Sequence, residues 1–581
     1  MATTDAHEIP AFDRAFFTGK EQFTRIGTGS IGGKAQGLAR VADVLASALA
    51  PELSAQVAVR IPTLTVIATQ FFDLFLEDND LHDVALADTR DDLIAHAFQR
   101  AELSPQLVGD LRALVEQVRS PLAVRSSSML EDAMFEPFAS VYTTKMIPNN
   151  QQDVDTRFRK LVEAVKYVYA STFFGNAKSY IRATRHQTTD EKMAVILQEV
   201  VGTRHGSRYY PQISGVARSY NFYPLGHARP SEGVIDLAIG LGKTVVDDGV
   251  AWSYSPSYPH ANPPYNAVRD LLKQTQTRFW AVHMGEPAAY DPIRETEYIV
   301  QYDLADAEAD GTLAFVASTY RATDDRIVMG TRTPGPRIVD FGPILKGEQV
   351  PLNEVLRRLL KACEEALGCM VEVEFAATLD EARGVPARLG FLQVRPMVLT
   401  HDIVDIGPQD LLGERTVVAC ESVLGNGIVD SVRDVVYVKP ETFHITRTTE
   451  IAHELGEVNG TLLAEGRPYV LLGFGRWGSS DPQGGIPVNF GQISGARAIV
   501  EIALPDGSGM LSQGSHFFHN ITSFKVCYFS VEYEQRHRID WDWLRRQKVA
   551  HETDLLRLIR LDGPLEIRVD GRTGRGVIRH D

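Results

Sequence analysis

The sequence predicts a multidomain protein of the α+β or α/β class. Its 581 residues exceed what one hydrophobic core usually organises. Short strands and helices alternate up to about residue 117, and a strand-rich pattern continues to residue 400. We therefore expect an N-terminal arm at 1–20, one subdomain at 21–117, further subdomains at 118–400, a linker at 401–413 and a mixed α/β C-terminal domain at 414–581.

Composition and charge argue against several classes of protein. The apolar fraction is 44% and the charged fraction is 23%, as in folded soluble proteins. The net charge of −16 argues against a broad nucleic-acid-binding surface, which needs clustered basic residues. No apolar run is long enough to span a bilayer, and the N-terminus lacks a secretory signal. Because the four cysteines show no CxxC spacing, we expect a reduced, cytoplasmic protein. From the net charge and the lack of a long apolar run, we expect no nucleic-acid or membrane partner.

A glycine-rich loop runs from Gly27 to Lys34, between a short strand at 23–26 and a helix. The loop fails as a P-loop, because Ala35 occupies the position that requires Ser or Thr. It formally matches the fingerprint GxGxxG, but no acidic residue follows in a clear second strand. A third interpretation is a loop that brings Lys34 to a phosphate near the helix N-terminus. A turn with a surface lysine is the structural alternative. The apolar face predicted for the helix comprises Leu38, Val41, Leu45 and Leu49.

The next apolar strand, which begins at Leu122, leads into Arg125 and three serines. A guanidinium is a planar, permanently charged group suited to phosphate oxygens. The density of donors around this turn favours a phosphate-binding role. The alternative is an arginine at a strand end that pairs with Glu131 or Asp132.

Two later strands carry polar residues on one face each. An amphipathic helix at 352–367 precedes them. Glu372 and Glu374 share a face of the first strand, and Gln393 and Arg395 share a face of the second. If the strands pair, two carboxylates, an amide and a guanidinium line one surface. Carboxylate and amide oxygens are ligands for Mg²⁺, which also bridges phosphates. The alternative is a solvent-facing surface of salt bridges.

In this order, the motifs resemble the nucleotide-binding region of phosphoenolpyruvate synthase and pyruvate phosphate dikinase, which has an ATP-grasp fold. Related modules occur in rifampin phosphotransferase and the glucan water dikinases. The resemblance covers roughly residues 20–400. Its segments are GGKAQGL, AVRSSSMLED with PFASVY, VILQEVV, SGVA, GLGKTVV and FLQVRP.

The resemblance implies a role for individual residues. Lys34 and Arg125 match residues on the ATP phosphates, and Ser140 and Thr144 fall in the loop that covers them. Gln198 matches the strand that meets the adenine. The metal-binding pair corresponds to Glu374 and Gln393, and the closing arginine to Arg395. The implied cofactors are ATP and Mg²⁺. The chain departs from the family at Lys243, where glutamate is frequent, and at Ser140, where glycine is usual.

The C-terminal third contains two further segments of interest. In the loop Gly475-Arg476-Trp477-Gly-Ser-Ser-Asp481, backbone N–H groups and Arg476 suit a phosphate or a phosphorylated substrate. A tight structural loop held by Trp477 is the alternative. Ser515-His516 resembles the phosphohistidine motif of the dikinases, in which an imidazole attacks phosphorus. A buried structural histidine, or one that only binds substrate, is the alternative there. Residues 401–581 are too few for both a swivelling domain and a pyruvate-binding barrel, so we expect the barrel to be absent.

The leading functional prediction is an ATP-dependent phosphotransferase of the dikinase type. His516, Arg476 and Arg395 are the predicted catalytic residues, and the phosphoryl acceptor is an undetermined small molecule or protein. One alternative is an ATP-grasp ligase that activates a carboxylate. Another is a non-catalytic ATP-binding regulator, or a subunit that works with a partner chain. A homodimer is compatible with the sequence.

Overall fold

The computed structural model of the chain describes residues 9–15, 23–129, 131, 141–182, 191–221, 228–246, 250–261, 271–272, 275–285, 289–379, 387–397, 404–478, 485–504, 526–531, 539–571 and 573–580. The chain divides into two units. The first comprises Met1–Lys178, His186–Tyr220 and Ser231–Met397, and the second comprises Ser179–Arg185, Asn221–Pro230 and Val398–Asp581.

Short strands and helices build the first unit. Its strands are Phe23–Ile26 (β1), Val57–Arg60 (β2), Leu64–Ile67 (β3), Leu122–Ser128 (β4), Thr144–Ile147 (β5), Met193–Glu199 (β6), Thr203–His205 (β7), Arg208–Tyr210 (β8), Ile213–Arg218 (β9), Val234–Ala238 (β10), Trp252–Tyr254 (β11), Arg278–His283 (β12), Ile299–Asp303 (β13), Ser318–Arg321 (β14), Arg326–Met329 (β15), Arg337–Ile338 (β16), Val371–Thr378 (β17) and Ala387–Pro396 (β18). The helices up to Leu367 are Gly32–Ser47 (α1), Pro51–Ser54 (α2), Gln70–Asp78 (α3), His82–Leu86 (α4), Asp91–Arg100 (α5), Pro105–Gln117 (α6), Val154–Ser171 (α7), Gly175–Arg182 (α8), Lys243–Val246 (α9), Leu304–Ala309 (α10), Gly342–Leu345 (α11) and Leu352–Leu367 (α12).

Two sheets of the first unit carry the predicted site. One has the strand order β1-β3-β6-β4-β5, with β1 and β3 parallel and the other neighbours antiparallel. The other has the order β11-β10-β9-β17-β18-β2, with β18 and β2 parallel and the other neighbours antiparallel. Smaller sheets have the orders β13-β12-β8-β7 and β15-β14-β16.

Helix α1 joins these two sheets. Its apolar residues recur at helical spacing, and Ala35, Leu38, Val41 and Leu45 are buried. They belong to one apolar cluster with residues of both sheets and of α12, among them Leu64, Val394 and Leu359. This packing places β4 of one sheet near β17 and β18 of the other.

The structure confirms several sequence predictions for this unit. Helix α12 has the predicted bounds, and β17 pairs antiparallel with β18. Two predictions were wrong. Leu49 lies beyond the end of α1 at Ser47. Residues 70–117 form four successive helices rather than alternating strands and helices, because their apolar residues keep helical spacing, as in Leu107, Leu111 and Leu114 of α6.

The second unit is built on a mixed sheet. Its strands are Thr416–Cys420 (β19), Val423–Leu424 (β20), Gly427–Val438 (β21), Tyr469–Phe474 (β22), Arg476–Trp477 (β23), Gly485–Ile486 (β24), Ala496–Ile502 (β25), Cys527–Val531 (β26), Val549–Glu552 (β27), Leu556–Asp570 (β28) and Arg575–Arg579 (β29). The helices are Thr448–Ala464 (α13) and Trp541–Arg546 (α14). The sheet order is β19-β29-β28-β21-β22-β25-β26-β20, and β27 pairs with β28. The strands at the two ends of this order, β19 and β20, are consecutive in sequence.

Two details of the second unit relate to the sequence predictions. The predicted hairpin around Asp570 is confirmed, since β28 and β29 pair with Asp570 opposite Arg575. Within the predicted linker, Val404 and Ile406 are buried in a cluster with Ala419 and Val577. Among the helices that the structure describes in both units, none is long and apolar enough to cross a membrane.

Candidate functional site

Lys34 lies in the first turn of α1 and contacts the end of β4. Its Nζ donates to Ser126 Oγ at 3.0 Å and to Glu131 Oε1 at 2.8 Å. Glu131 is fully buried and also accepts from the backbone N–H of Ser128 at 2.8 Å. The lysine is therefore held by a carboxylate next to the serines of β4, and it is not a free surface residue.

The three serines of β4 support the glycine loop on one side and Glu131 on the other. Ser127 Oγ donates to the carbonyl of Ile31 at 2.8 Å and accepts from the N–H of Ala35 at 3.1 Å. Ser126 donates to Glu131 at 3.0 Å. All three serines are buried. Neighbouring side chains of a strand point to opposite faces. The hydroxyls that follow Arg125 thus position the lysine loop.

Arg125 connects the two sheets. Its Nη1 donates to Gln198 Oε1 at 3.1 Å and to the carbonyl of Leu392 at 2.9 Å. Its Nη2 donates to Gln393 Oε1 at 2.7 Å and to Glu374 Oε2 at 3.3 Å. The structural alternative paired Arg125 with Glu131 or Asp132. Glu131 pairs with Lys34 instead, and Asp132 lies outside the described residues. Side chains that are 249 and 268 positions from Arg125 in the sequence therefore converge on its guanidinium.

The β17–β18 pair has the register that the alternation predicted. Glu374 lies opposite Gln393, and Glu372 lies opposite Arg395. A bulge that the sequence did not predict follows Glu374. Since Glu372, Gln393 and Arg395 are 2%, 2% and 4% exposed, this surface does not face solvent. Glu374 is the more accessible carboxylate, with 16% of its side chain exposed.

The oxygens of Glu374 and Gln393 suit Mg²⁺. Both side chains direct an oxygen to the same Arg125 guanidinium, so the two oxygens lie close together. A carboxylate and an amide carbonyl form a hard donor pair of the kind that holds Mg²⁺ together with water and phosphate oxygens. The residues therefore fit the ion that the resemblance implies.

Two further predicted residues line the same region. Thr144 lies opposite Arg125 in the β4–β5 pair and is half-buried. Gln198 is 2% exposed, and its Nε2 has no hydrogen-bond partner among the described residues. An unpaired buried donor is costly, so a ligand acceptor at this position would satisfy it. Lys243, the departure from the family, lies at the start of α9 with its Nζ 3.7 Å from Glu295. Ser140 lies outside the described residues.

Sequence analysis missed two charged residues of this region, Arg218 in β9 and Asp236 in β10. Both are buried, and Arg218 Nη1 contacts Asp236 Oδ2 at 2.6 Å. Arg218 also donates through Nε to Glu372. Their signal in the sequence is a charged residue within each of two otherwise apolar strands, SGVAR and VIDLA. The partner of a buried charge is not visible in a sequence.

Glu191 is a second buried carboxylate near Glu131. It accepts from Tyr142 Oη and from the N–H of Met129, both at 3.0 Å. Burial raises the pKa of Glu191 from its ordinary value of 4.5 to about 7, and the charge of Glu131 adds to the shift. The folded state thus binds this proton more tightly than the unfolded chain does. The stabilisation is complete below pH 4.5 and is lost as the pH rises through about 7.

We expect Glu191→Gln to remove this pH dependence. Relative to the variant, the wild type should lose on the order of 3 kcal/mol of unfolding free energy between pH 4.5 and 8. Chemical denaturation at pH 5, 6, 7 and 8 measures the difference, with the exposed Glu52→Gln as the matched control for loss of a carboxylate. A constant difference between wild type and Glu191→Gln at all four pH values would contradict the prediction.

The predicted residues of the C-terminal third are only partly described. Arg476 forms β23 with Trp477 and pairs with Gly485 of β24. Trp477 is 1% exposed, and its ring lies so close to Gly473 that a Cβ there would be 2.5 Å from it. Trp477 therefore packs against β22 beside the described part of the loop. His516 and the residues 479–481 lie outside the described residues.

Comparison with known protein families gives a match over more than half of the chain. The family described as pyruvate phosphate dikinase, AMP/ATP-binding domain, matches residues 28–405. The matched range contains Lys34, Arg125, Gln198, the β17–β18 pair and the buried charges Arg218 and Asp236. No curated protein matches the chain.

Proposed function

The chain belongs to the pyruvate phosphate dikinase AMP/ATP-binding domain family over residues 28–405, and from that premise we propose that it is an ATP-dependent phosphotransferase of the dikinase type. The observation that carries this proposal is the convergence of Gln198, Glu374 and Gln393 on the Arg125 guanidinium. A cation beside two oxygen ligands for a metal is an arrangement suited to a polyphosphate.

The proposed reaction depends on positioning and charge neutralisation. Arg125 and Lys34 bind phosphate oxygens, Arg395 closes over them, and Gln198 contacts the base through its Nε2 donor. Thr144 and Ser140 belong to the segment that covers the phosphates. Glu374 and Gln393 would hold Mg²⁺, which supplies neutralisation of the charge that develops as phosphorus–oxygen bonds break.

Lys34 binds a phosphate through its third N–H in this scheme. In the structure, its ammonium bonds to Glu131 and Ser126. An ammonium has three N–H donors, so these two described bonds leave one donor for a phosphate oxygen. If the bond to Glu131 were exchanged as well, the buried carboxylate would still accept from the hydroxyl of Ser126 and from the N–H of Ser128.

The acceptor in this proposal is His516 or a small molecule held by the Arg476 loop. Isotopic labelling tests it. Purified protein is incubated with Mg-ATP that carries label in the β- or γ-phosphate, and the protein and nucleotide products are separated. Acid-labile label on the protein that is absent from His516→Ala supports a phosphohistidine, and label from the β-phosphate with release of AMP supports the dikinase reaction.

Other outcomes of the same experiment support the alternatives. ADP that forms only when a carboxylate and an amine are added, with no label on the protein, would indicate a ligase. Mg-ATP that binds tightly without turnover, alone or with cell extract, would indicate a nucleotide-binding regulator or a subunit that needs a partner. Either result would refute the phosphotransferase.

Loss of the Glu374 carboxylate is expected to raise the requirement for Mg²⁺. The Glu374→Gln side chain keeps an oxygen that accepts from Arg125 but lacks the negative charge that attracts the metal. The Mg²⁺ concentration for half-maximal ATP binding should rise by at least about tenfold. Titration of Mg²⁺ at fixed ATP measures it, with the exposed Glu365→Gln as control. An unchanged midpoint in Glu374→Gln would remove this residue from the metal site.

A further inference from the structure

Charged side chains of alternating sign form a row across β10, β9, β17 and β18. In order they are Asp236, Arg218, Glu372, Arg395 and Glu374. The first four are 4%, 9%, 2% and 4% exposed. Paired positions place them on one face of the sheet, since Glu372 is opposite both Arg218 and Arg395.

The contacts are continuous along this row. Arg218 Nη1 contacts Asp236 Oδ2 at 2.6 Å, and Arg218 Nε donates to Oε2 of Glu372. The other oxygen of Glu372, Oε1, accepts from Arg395 Nε at 2.6 Å. Arg395 Nη2 then lies 3.9 Å from Glu374 Oε1. At the outer end, Ser253 donates to Oδ1 of Asp236.

This geometry separates the roles of the two carboxylates on β17. Both oxygens of Glu372 accept from buried arginines, so this carboxylate is committed to them. Glu374 is more exposed and contacts Arg125, which also reaches Gln393. A buried charge is tolerated when it is paired on all sides, and removal of one partner leaves it uncompensated. Glu372 therefore depends on Arg218 as much as on Arg395.

We propose that Arg218, anchored by Asp236, is a positioning residue of the nucleotide site that fixes Glu372 and thereby orients the Arg395 guanidinium toward the ATP phosphates. The inference rests on the proposed function, because it assumes that Arg395 binds phosphate. Without Arg218, one oxygen of Glu372 loses the hydrogen bond from Arg218 Nε, and the carboxylate can rotate. The hydrogen bonds from Arg395 to Glu372 would then no longer fix the orientation of the Arg395 guanidinium.

A double variant tests the proposal without changing the net charge of the buried row. Arg218→Met with Asp236→Asn removes one positive and one negative charge, and the asparagine still accepts from Ser253. The matched control is Arg208→Met with Asp310→Asn, which removes a 2.6 Å ion pair of the same unit, between β8 and the end of α10. Calorimetric titration with Mg-ATP and with AMP is made on both variants and on the wild type, and thermal unfolding is recorded for each.

The proposal predicts a selective loss of affinity. The Arg218/Asp236 variant should bind Mg-ATP at least about tenfold more weakly than the wild type, while AMP affinity changes less than about twofold. Such a loss is typical when the groups that orient a ligand-binding side chain are removed. The control variant should keep both affinities, even if its unfolding temperature falls. The split between ATP and AMP is a result that a purely structural ion pair would not produce.

Four results would overturn or redirect the proposal. An unchanged Mg-ATP affinity, or an equal loss for ATP and AMP, would make Arg218 a structural residue only. If the double variant does not fold, Arg218→Lys replaces it, since lysine keeps the charge but not the two-pronged contact. Arg218→Lys should also lower the affinity for Mg-ATP more than the affinity for AMP. If Arg218→Lys and the wild type bind Mg-ATP with equal affinity, the proposal is refuted. A wild type that does not bind Mg-ATP would instead refute the proposed function.

Discussion

Replacement of Arg125 by methionine is expected to lower Mg-ATP turnover by about 10³-fold, in the range observed for arginines that stabilise transferring phosphoryl groups. Arg125 contacts β6, β17 and β18 at once, through Gln198, Glu374, Gln393 and the carbonyl of Leu392. In the proposed site, its loss removes a phosphate ligand. It also leaves the Glu374 carboxylate without its nearest cation, which lies at 3.3 Å.

Steady-state assays and calorimetry on Arg125→Met measure these effects separately. The matched control is Arg278→Met, which removes an arginine of the same unit whose side chain is 61% exposed and pairs with Asp303 at the surface. The control should retain wild-type affinity and turnover. Turnover by Arg125→Met within about tenfold of the wild type would place the phosphates away from this guanidinium and contradict the proposed site. Arg125→Lys is expected to recover little, since a single ammonium cannot reproduce the planar fork.

Gly32→Ala is expected to reduce Mg-ATP affinity by about 10²-fold, the scale of the penalty when a catalytic group is displaced by about 1 Å. Gly32 has a φ of +73°, where a residue with a Cβ is strained, and an added Cβ would lie 1.7 Å from the carbonyl oxygen of Ser127. Backbone strain of this kind costs about 1–3 kcal/mol before the steric clash is counted. The start of α1 must therefore move away from β4, and Lys34 moves with it.

A second glycine substitution provides the control for Gly32→Ala. Gly460 lies inside α13, where an added Cβ would meet nothing within 4 Å. Gly460→Ala should leave Mg-ATP affinity unchanged and slightly stabilise the protein, because alanine favours a helix interior over glycine by about 1 kcal/mol. Calorimetric titration and thermal unfolding of both variants measure the contrast. Wild-type affinity in Gly32→Ala would show that the position of the loop does not govern nucleotide binding.

The three serines that follow Arg125 show how the role predicted from a sequence pattern can differ from the role that the structure gives the same residues. The density of donors favoured a phosphate site, and Arg125 does lie among the predicted site residues. The serines, however, are committed to Glu131, Lys34 and the backbone of the glycine loop. A sequence shows that donors are present but not which acceptors they meet. In this case one acceptor, the carbonyl of Ile31, belongs to a loop that precedes the serines by more than 90 residues.

The strand pair β17–β18 was predictable because its signal is local. Alternation along each strand sets which side chains share a face, and one antiparallel register then brings Glu374 opposite Gln393. The helix at 352–367 was predictable for the same reason, since the spacing of its apolar residues defines the buried face. Burial of the polar face was not predictable, because it depends on strands that are distant in sequence.

The sequence by itself therefore determined the family, the residues that we propose to bind phosphate and metal, and the face of each strand on which they lie. Only the tertiary structure decided that Lys34 pairs with Glu131, that Arg125 joins two sheets, and that Arg218 and Asp236 extend the charge network behind Glu372. The physical reason is the distance along the sequence over which each kind of interaction acts. Periodicity and turn preferences act between neighbouring residues, whereas the pairing of buried charges depends on which strands the fold brings together.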